Sequence, residues 1–324
     1  MIVPGSPPQW LDRTLPFQVR EDSGLFVDPC EGLLPLIRAV ELMSNSGPIP
    51  ALLAEHGPER VEWGTVDFVT DRSNLRKLLR WIDGSTSGDP IRMDAQLAGN
   101  GTVLLNRWES RTSGWRSGGY GYNLEKEVTK PAVGCEDATA HARIVKYNLG
   151  GLSMVVRFEL DAFQPPAQSP DDDEDLLKAL SALTVPQELQ QPVKSEGFNI
   201  RRGGSVVPQS SLIELKSGKI KWPEVYPQLY VSQTPRLYKA AHENGLFHTI
   251  TKMGLASPEM AEVAERSKVR FGRLRDALQA IKDMVVAAGP NGRLSFVVEN
   301  KELKVFDRDS QSSFLKADVM ALFS

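Results

Sequence analysis

Hydrophobic residues recur along this chain at two spacings, and each spacing names an element. Apolar positions at helical intervals mark "GLLPLIRAVELMSN" and "RSNLRKLLRWI". In the second, Leu75, Leu78, Leu79 and Ile82 share one face and a basic side opposes it. Alternation with β-branched and aromatic residues marks "VEWGTVDFVTD" as a strand. Two strand-like runs around Gly99-Asn100-Gly101 in "MDAQLAGNGTVLLNRWE" predict a hairpin, because an Asn-Gly pair suits a primed turn. "ARIVKYNLGGLSMVVRFELDAF" reads as a second hairpin turning between Asn148 and Gly151, "SLIELKS" as a further strand, and "LSFVVENKELKVFD" as a closing hairpin. From Val225 onward helices are expected to dominate, led by "KVRFGRLRDALQAIKDMVVAA". Strands in the middle and helices at the end predict an α/β (α+β) fold of mixed central β-sheets flanked by helices.

Residues 164–210 interrupt this pattern. "QPPAQSPDDDEDLL" is rich in Pro, Ser and Asp, the composition of a mobile loop, and its run from Asp171 to Asp175 reads as a solvated acidic stretch. "NIRRGG" further on carries Arg201 and Arg202 in a stretch that reads as a solvated loop. The 324 residues, 41% of them hydrophobic, suffice for a large core and are read as one domain spanning 1–324. A net charge of −3 excludes a global basic footprint, so any nucleic-acid role has to rest on a local cleft. Two cysteines, Cys30 and Cys135, without CxxC spacing, predict neither a disulfide framework nor a thiolate metal site. No apolar run approaches the roughly 18 residues of a membrane span. The opening "MIVPGSPPQWLDRTLP" reads as neither signal nor transit peptide, which predicts an intracellular protein of nucleus or cytoplasm.

The candidate chemistry lies in two triplets embedded in apolar strands. In "MVVRFELDAF", Glu159 and Asp161 are two apart and share a face; in "SLIELKS", Glu214 and Lys216 do the same. If the strands are neighbours, three carboxylates and a lysine meet on one sheet face. Like charges in a partly desolvated cleft repel strongly, and divalent cations resolve that repulsion. Hard oxygen donors favour Mg²⁺ or Mn²⁺ over zinc. The lysine then stands where it can orient a water and stabilise charge developing on phosphorus. The four histidines form no ligand pattern. Taken singly, each triplet reads as a surface ion pair; the order ExD then ExK is the signature of a PD-(D/E)XK-type nuclease.

The surrounding residues resemble one branch of that superfamily, the DXO/Rai-type decapping exoribonucleases, as a divergent member of fungal type. "FVTDRSNLRKLL" is similar to the family's first motif and puts its arginine at Arg72. "GYNLE" fits GΦxΦE with Gly121 and Glu125, "FELDA" fits EΦD with Glu159, Leu160 and Asp161, and "LIELKS" fits EΦK with Glu214, Leu215 and Lys216. "QLYVSQTPRLY" is similar to the glutamine segment that opens the next helix, with Gln228 as that glutamine and Pro235-Arg236 matching a later Pro-Arg pair. These motifs cover roughly residues 60–285.

The resemblance implies a PD-(D/E)XK-like DXO fold and a metal-dependent RNA 5′-end hydrolase. Such an enzyme removes incomplete or non-canonical caps, degrades RNA 5′→3′, or does both. It implies that Glu125, Asp161, Glu214 and the Leu215 carbonyl hold one Mg²⁺ or Mn²⁺ and that Glu159 helps with a second. Lys216 would activate water, Gln228 would contact the nucleophile or the scissile phosphate, and Arg72 and Arg236 would bind substrate. The partner is single-stranded RNA at its 5′ end, with a 5′→3′ exoribonuclease as a further one and no membrane. The chain departs from the family at Asp71-Arg72-Ser73, where Trp-Arg-Gly is usual, so an acid adjoins the expected phosphate ligand. Tyr120, Tyr122, Trp108 and Trp115 are available to stack on bases, although hairpin or core packing accounts for such residues as well. The same metal site would equally serve a DNA or 3′-end nuclease, and a fold kept as a non-catalytic partner of an exoribonuclease is the alternative from another class.

Overall fold

A computed structural model of the chain describes residues 1–28, 31–44, 61–85, 91–165, 193–195 and 198–324. Cys30 and the acidic run from Asp171 to Asp175 lie outside the described residues. Two seven-stranded sheets organise the rest. The first runs, strand by strand, Ala142–Leu149, Leu152–Glu159, Phe68–Asp71, Thr102–Arg107, Arg92–Ala98, Arg293–Glu299 and Glu302–Asp307. The second runs Phe17–Gln18, Leu246–Gly254, Arg236–Glu243, Leu212–Ser217, Ala162–Phe163, Gln9–Trp10 and Thr129–Lys130. This mixed α/β architecture is the one the hydrophobic pattern predicts.

Both faces of the first sheet are covered. Phe68–Asp71 is parallel to its two neighbours and buried at every position, as expected of a strand roofed on both sides. On one face the helices Arg72–Ile82, Trp222–Val231 and Ala261–Ala288 deliver Leu75, Leu78, Tyr226, Leu274, Leu278 and Ile281 onto Phe68, Met93, Met154 and Phe296. The other face carries Leu36 and Ile37 of the helix Leu34–Ser44, together with Trp63 and the C-terminal Val319 and Phe323. The second sheet buries Trp10, Ile213, Leu215 and Tyr238 against Leu124 and Val128 of the short helix Gly121–Val128. Among the described residues no helix is long and apolar enough to cross a membrane.

The structure departs from the pattern-based expectation in several places. Only Phe68–Asp71 of the expected strand 61–71 is a strand; Trp63–Thr65 is a 3₁₀ turn. Thr102 Oγ1 donates to the Val66 carbonyl at 2.7 Å and the Val66 N–H to the Trp63 carbonyl at 3.1 Å, so these carbonyls are satisfied without a neighbouring strand. Beyond Val225, the strands Arg236–Glu243 and Leu246–Gly254 intervene before the long helix. They turn at Asn244-Gly245, both at positive φ, the same Asn-Gly signal that marks the first hairpin. Finally, "NIRRGG" is no loop. Phe198–Gly203 is a strand lying parallel to Ile2–Pro4 at the chain's start, with Arg201 opposite Ile2.

Candidate active site

The chain steps directly from the first sheet into the second at Leu160-Asp161. The strand Leu152–Glu159 ends in the first sheet, and Ala162–Phe163 resumes in the second, antiparallel to Leu212–Ser217 with Ala162 facing Ile213. The segment expected to be one ExD strand is therefore two, and the expected adjacency with the ExK strand comes from its second half. One step back from the Ala162–Ile213 pair, Asp161 lies across from Glu214. Its carboxylate accepts the Leu215 N–H at 2.6 Å, which brings the Leu215 peptide into the cluster.

Glu125 arrives from the helix Gly121–Val128. That helix is capped from a distance: Asp22 accepts the N–H groups of Tyr122 and Asn123 at 3.0 and 2.9 Å, supplying the negative charge that a helix N-terminus favours. Burial pushes the Glu125 carboxyl up to about 7, and the charges of Glu159 and Glu214 push the same way against Lys216. Asp161 is raised well above the carboxylate range, first by burial and then by the charges of Glu214 and Glu125. These couplings place the four acids in one electrostatic neighbourhood although they span residues 125 to 214. Glu159 is the most exposed of them.

Glu214 is different, because cations already surround it. It is 1% exposed, and Arg72 Nη1 stands 2.9 Å from Oε2 while Lys216 Nζ stands 2.5 Å from Oε1. The Gln228 amide also donates to Oε1. Burial alone would raise this carboxyl; Lys216 and Arg72 outweigh burial and hold it below its usual value. Conversely Glu214 and Asp161 overcome the burial of Lys216 and keep its ammonium charged. Gln228 sits in the last half of the helix Trp222–Val231 rather than at its start, and is buried.

Arg236 is not brought to the cluster. It pairs with Ile213 on the parallel neighbour strand, hence on the sheet face away from Glu214, and its Nε donates to the Ser210 carbonyl at 2.9 Å. Arg201 pairs with Asp137, and Arg202 donates to the Leu42 carbonyl at 3.3 Å; neither reaches the acids. Asp71 does not oppose Arg72. It is held by Arg157, Nε to Oδ1 at 2.6 Å and Nη2 to Oδ2 at 3.0 Å. The Arg72 guanidinium is thereby left to Glu214 and to the ring of Phe158, 5.3 Å from its centroid. Sequence reasoning missed Arg157; its place two residues before Glu159, on the same face of the strand, is the signal that was there.

A hard divalent cation suits this donor set, which is all oxygen and short of positive charge at Glu125 and Asp161. Among the described residues, no three His, Cys, Asp or Glu side chains stand at the spacing of an assembled metal site. Arg72 and Lys216 supply the counter-charge at Glu214 in its place.

The fold is similar to that of solved Rai1 structures. The crystal structure of Scheffersomyces stipitis Rai1 in complex with (3′-NADP)⁺ and calcium ion matches with a TM-score of 0.55 at 12% identity, over 91% of this chain and 80% of that one. Schizosaccharomyces pombe Rai1 in complex with 3′-FADP matches at 0.50 and 13%, over 92% and 82%. Candida albicans Rai1 in complex with pU5-Mn²⁺ matches at 0.50 and 11%, over 89% and 80%. The resemblance to the DXO/Rai type thus holds at the level of fold, across about nine-tenths of the chain. By sequence, the chain belongs to the family described as Domain of unknown function (DUF8563), whose model matches residues 1–308. No curated protein matches it.

Proposed function

We propose that this chain is a metal-dependent hydrolase acting at the 5′ end of RNA, by decapping, by 5′→3′ exonucleolysis, or by both. The observation that carries the reading is the seam between the sheets, where Asp161 and Glu214 face each other and Glu125 and Lys216 share their field. The fold shared with Rai1 proteins in complex with pU5-Mn²⁺, 3′-FADP and (3′-NADP)⁺ supports RNA as the substrate class.

Glu125, Glu159, Asp161, Glu214 and the Leu215 carbonyl would hold Mg²⁺ or Mn²⁺, which when bound neutralises the acids and polarises water and phosphoryl oxygen. The chain's own groups divide the remaining work. Lys216, anchored at one Glu214 oxygen, keeps a fixed positive charge beside the place where charge develops on phosphorus. Gln228, buried against the same oxygen, orients a water or phosphate oxygen by its amide. Glu125, pushed up to about 7 by burial and by the neighbouring acids, would release its proton as a cation binds. Arg72, already at the cluster and stacked on Phe158, exchanges its carboxylate for the RNA 5′ phosphate.

The test is hydrolysis of 5′-phosphorylated and capped RNA with Mn²⁺ or Mg²⁺, comparing the unaltered protein with Glu214→Ala and Lys216→Ala. A loss of about a hundredfold or more is expected for each; equal rates sink the reading. DNA and 5′-hydroxyl RNA as parallel substrates separate the 5′-end reading from a DNA or 3′-end nuclease. One observation favours a second reading: Glu214 has three donors already, so the fold could serve without chemistry, as a partner that stabilises an exoribonuclease. Calorimetric titration with Mn²⁺ separates the two, since heat of binding that Glu125→Gln abolishes belongs only to the catalytic reading.

A further inference from the structure

A two-stranded ribbon outside both large sheets carries the most exposed aromatic surface of the described residues. It pairs Ser23–Val27 with Ser113–Ser117, so that Leu25 faces Trp115, Phe26 faces Gly114 and Gly24 faces Arg116. Leu25 and Trp115 are 70% and 73% exposed, with Phe26 and Val27 exposed beside them. Apolar groups gathered this way on a surface mark a binding face.

Strand alternation sorts the ribbon into two sides. Leu25, Val27 and Trp115 occupy one. The other holds Phe26 and Arg116, each opposite a glycine, and a Cβ built at Gly24 or Gly114 meets nothing within 4 Å. The surface over Gly24 and Gly114, beside Phe26 and Arg116, is therefore open to a flat ring. The Arg116 guanidinium lies 5.1 Å from the Phe26 ring centroid and 4.7 Å from that of Tyr122, and Lys126 Nζ lies 4.1 Å from Tyr122. Among the described residues neither Arg116 nor Lys126 has an ion-pair partner. The track ends at the acids: Arg116 acts on the Glu125 carboxyl, and Asp22, next to the ribbon, caps the helix that carries Glu125.

We propose that this ribbon is a platform for the single-stranded RNA that trails from the 5′ end, with Phe26, Arg116 and Tyr122 stacking bases and Arg116 and Lys126 meeting phosphates. The proposal rests on the reading of the acidic seam as an RNA 5′-end site. Rings interleaved with unpaired cations match a nucleic-acid strand, whose bases offer faces and whose linkages offer charge. The side with Phe26 and Arg116 offers that mixture, whereas the side with Leu25, Val27 and Trp115 is apolar alone.

The experiment measures fluorescence anisotropy of labelled 5′-monophosphorylated oligouridylates on the full chain in EDTA, so that binding is read without cleavage. A dinucleotide is compared with an oligomer of about 12 nucleotides, within the span of single-strand grooves. Phe26→Ala and Arg116→Gln are each expected to weaken the long RNA about tenfold and to leave the dinucleotide unchanged. Arg116→Gln should also lower the salt dependence by about 0.7 in slope. Gly114→Glu adds a charge to open space without removing a packed atom, and should repeat the loss. Long-RNA affinity equal to the unaltered protein's in all three variants overturns the platform, as does an equal loss for both lengths. The two readings fail separately: hydrolysis with unchanged long-RNA affinity sinks only the platform, and length-dependent binding without any hydrolysis sinks only the nuclease.

Discussion

Arg72 and Glu214, 142 residues apart, form a nearly buried ion pair at 2.9 Å, with side chains 12% and 2% exposed. A pair in this position is costly to break, because the remaining charge has no water to turn to. Arg72→Gln is expected to destabilise the metal-free protein by about 3 kcal/mol, the low end of the range for such pairs because Lys216 and Gln228 stay on Glu214. Urea denaturation in EDTA checks this. If Glu214 is a metal ligand, Mn²⁺ at about 100 times its Kd should return roughly 2.7 kcal/mol to the variant.

Asp71 and Arg157 tie the end of one central strand to its neighbour through two hydrogen bonds, with Arg157 also reaching the Gly32 carbonyl at 2.8 Å. Asp71→Ala should cost about 3–5 kcal/mol by leaving Arg157 without its counter-charge. A double-mutant cycle with Arg157→Met should recover about 0.5–3 kcal/mol of coupling. Additive losses would show that the pair contributes little as a unit.

His141 gives the fold an acid-sensitive point. Burial, with the nearby charge of Arg143, lowers it from 6.5 to about 4, and its Nε2 is buried without a partner among the described residues. The folded protein thus binds fewer protons than the unfolded chain between these values. Its contribution to stability is complete above about pH 6.5 and is lost as pH falls toward 4. The loss at pH 5 is about 2 kcal/mol relative to neutral pH. Urea midpoints at the two pH values, for the unaltered protein and His141→Phe, measure it; an unchanged pH dependence in the variant would sink the assignment.

The first hairpin turn is clamped by the end of the chain. Gly99 has φ +56°, and a Cβ there would fall 1.9 Å from the Phe323 carbonyl oxygen. Gly99→Ala is expected to lower stability by more than about 1 kcal/mol, since strain at positive φ adds to displacement of the C-terminal turn. Removing the last residues from Leu315 on should destabilise too, and should erase most of the effect of Gly99→Ala. Full additivity of the two changes would refute the contact.

Local periodicity made much of this molecule legible. The helix Arg72–Ile82 follows from four leucine and isoleucine positions, and both early hairpins follow from their turn residues. The acids were legible as candidates, and Glu214 with Lys216 does share a face of one strand, whereas Glu159 and Asp161 fall on either side of a break. The strands at Arg236–Glu243 and Leu246–Gly254 escaped although the Asn-Gly turn was in plain view. The break at Leu160-Asp161 escaped for a physical reason: alternation continues through it, so nothing local says that the two halves belong to different sheets.

What the sequence by itself determined is the set of residue types and the face each occupies on its own element, since side-chain direction repeats every 2.0 or 3.6 residues whatever else the chain does. Tertiary structure alone decided which faces meet. It put Asp161 across from Glu214, gave Glu214 to Arg72, turned Arg236 away, and laid residues 23–27 beside residues 113–117. Pairings over such separations carry a loop-closure cost that no single segment can repay. They are selected by the burial of whole sheets and helices at once, and that information is distributed along the chain rather than written at any one position.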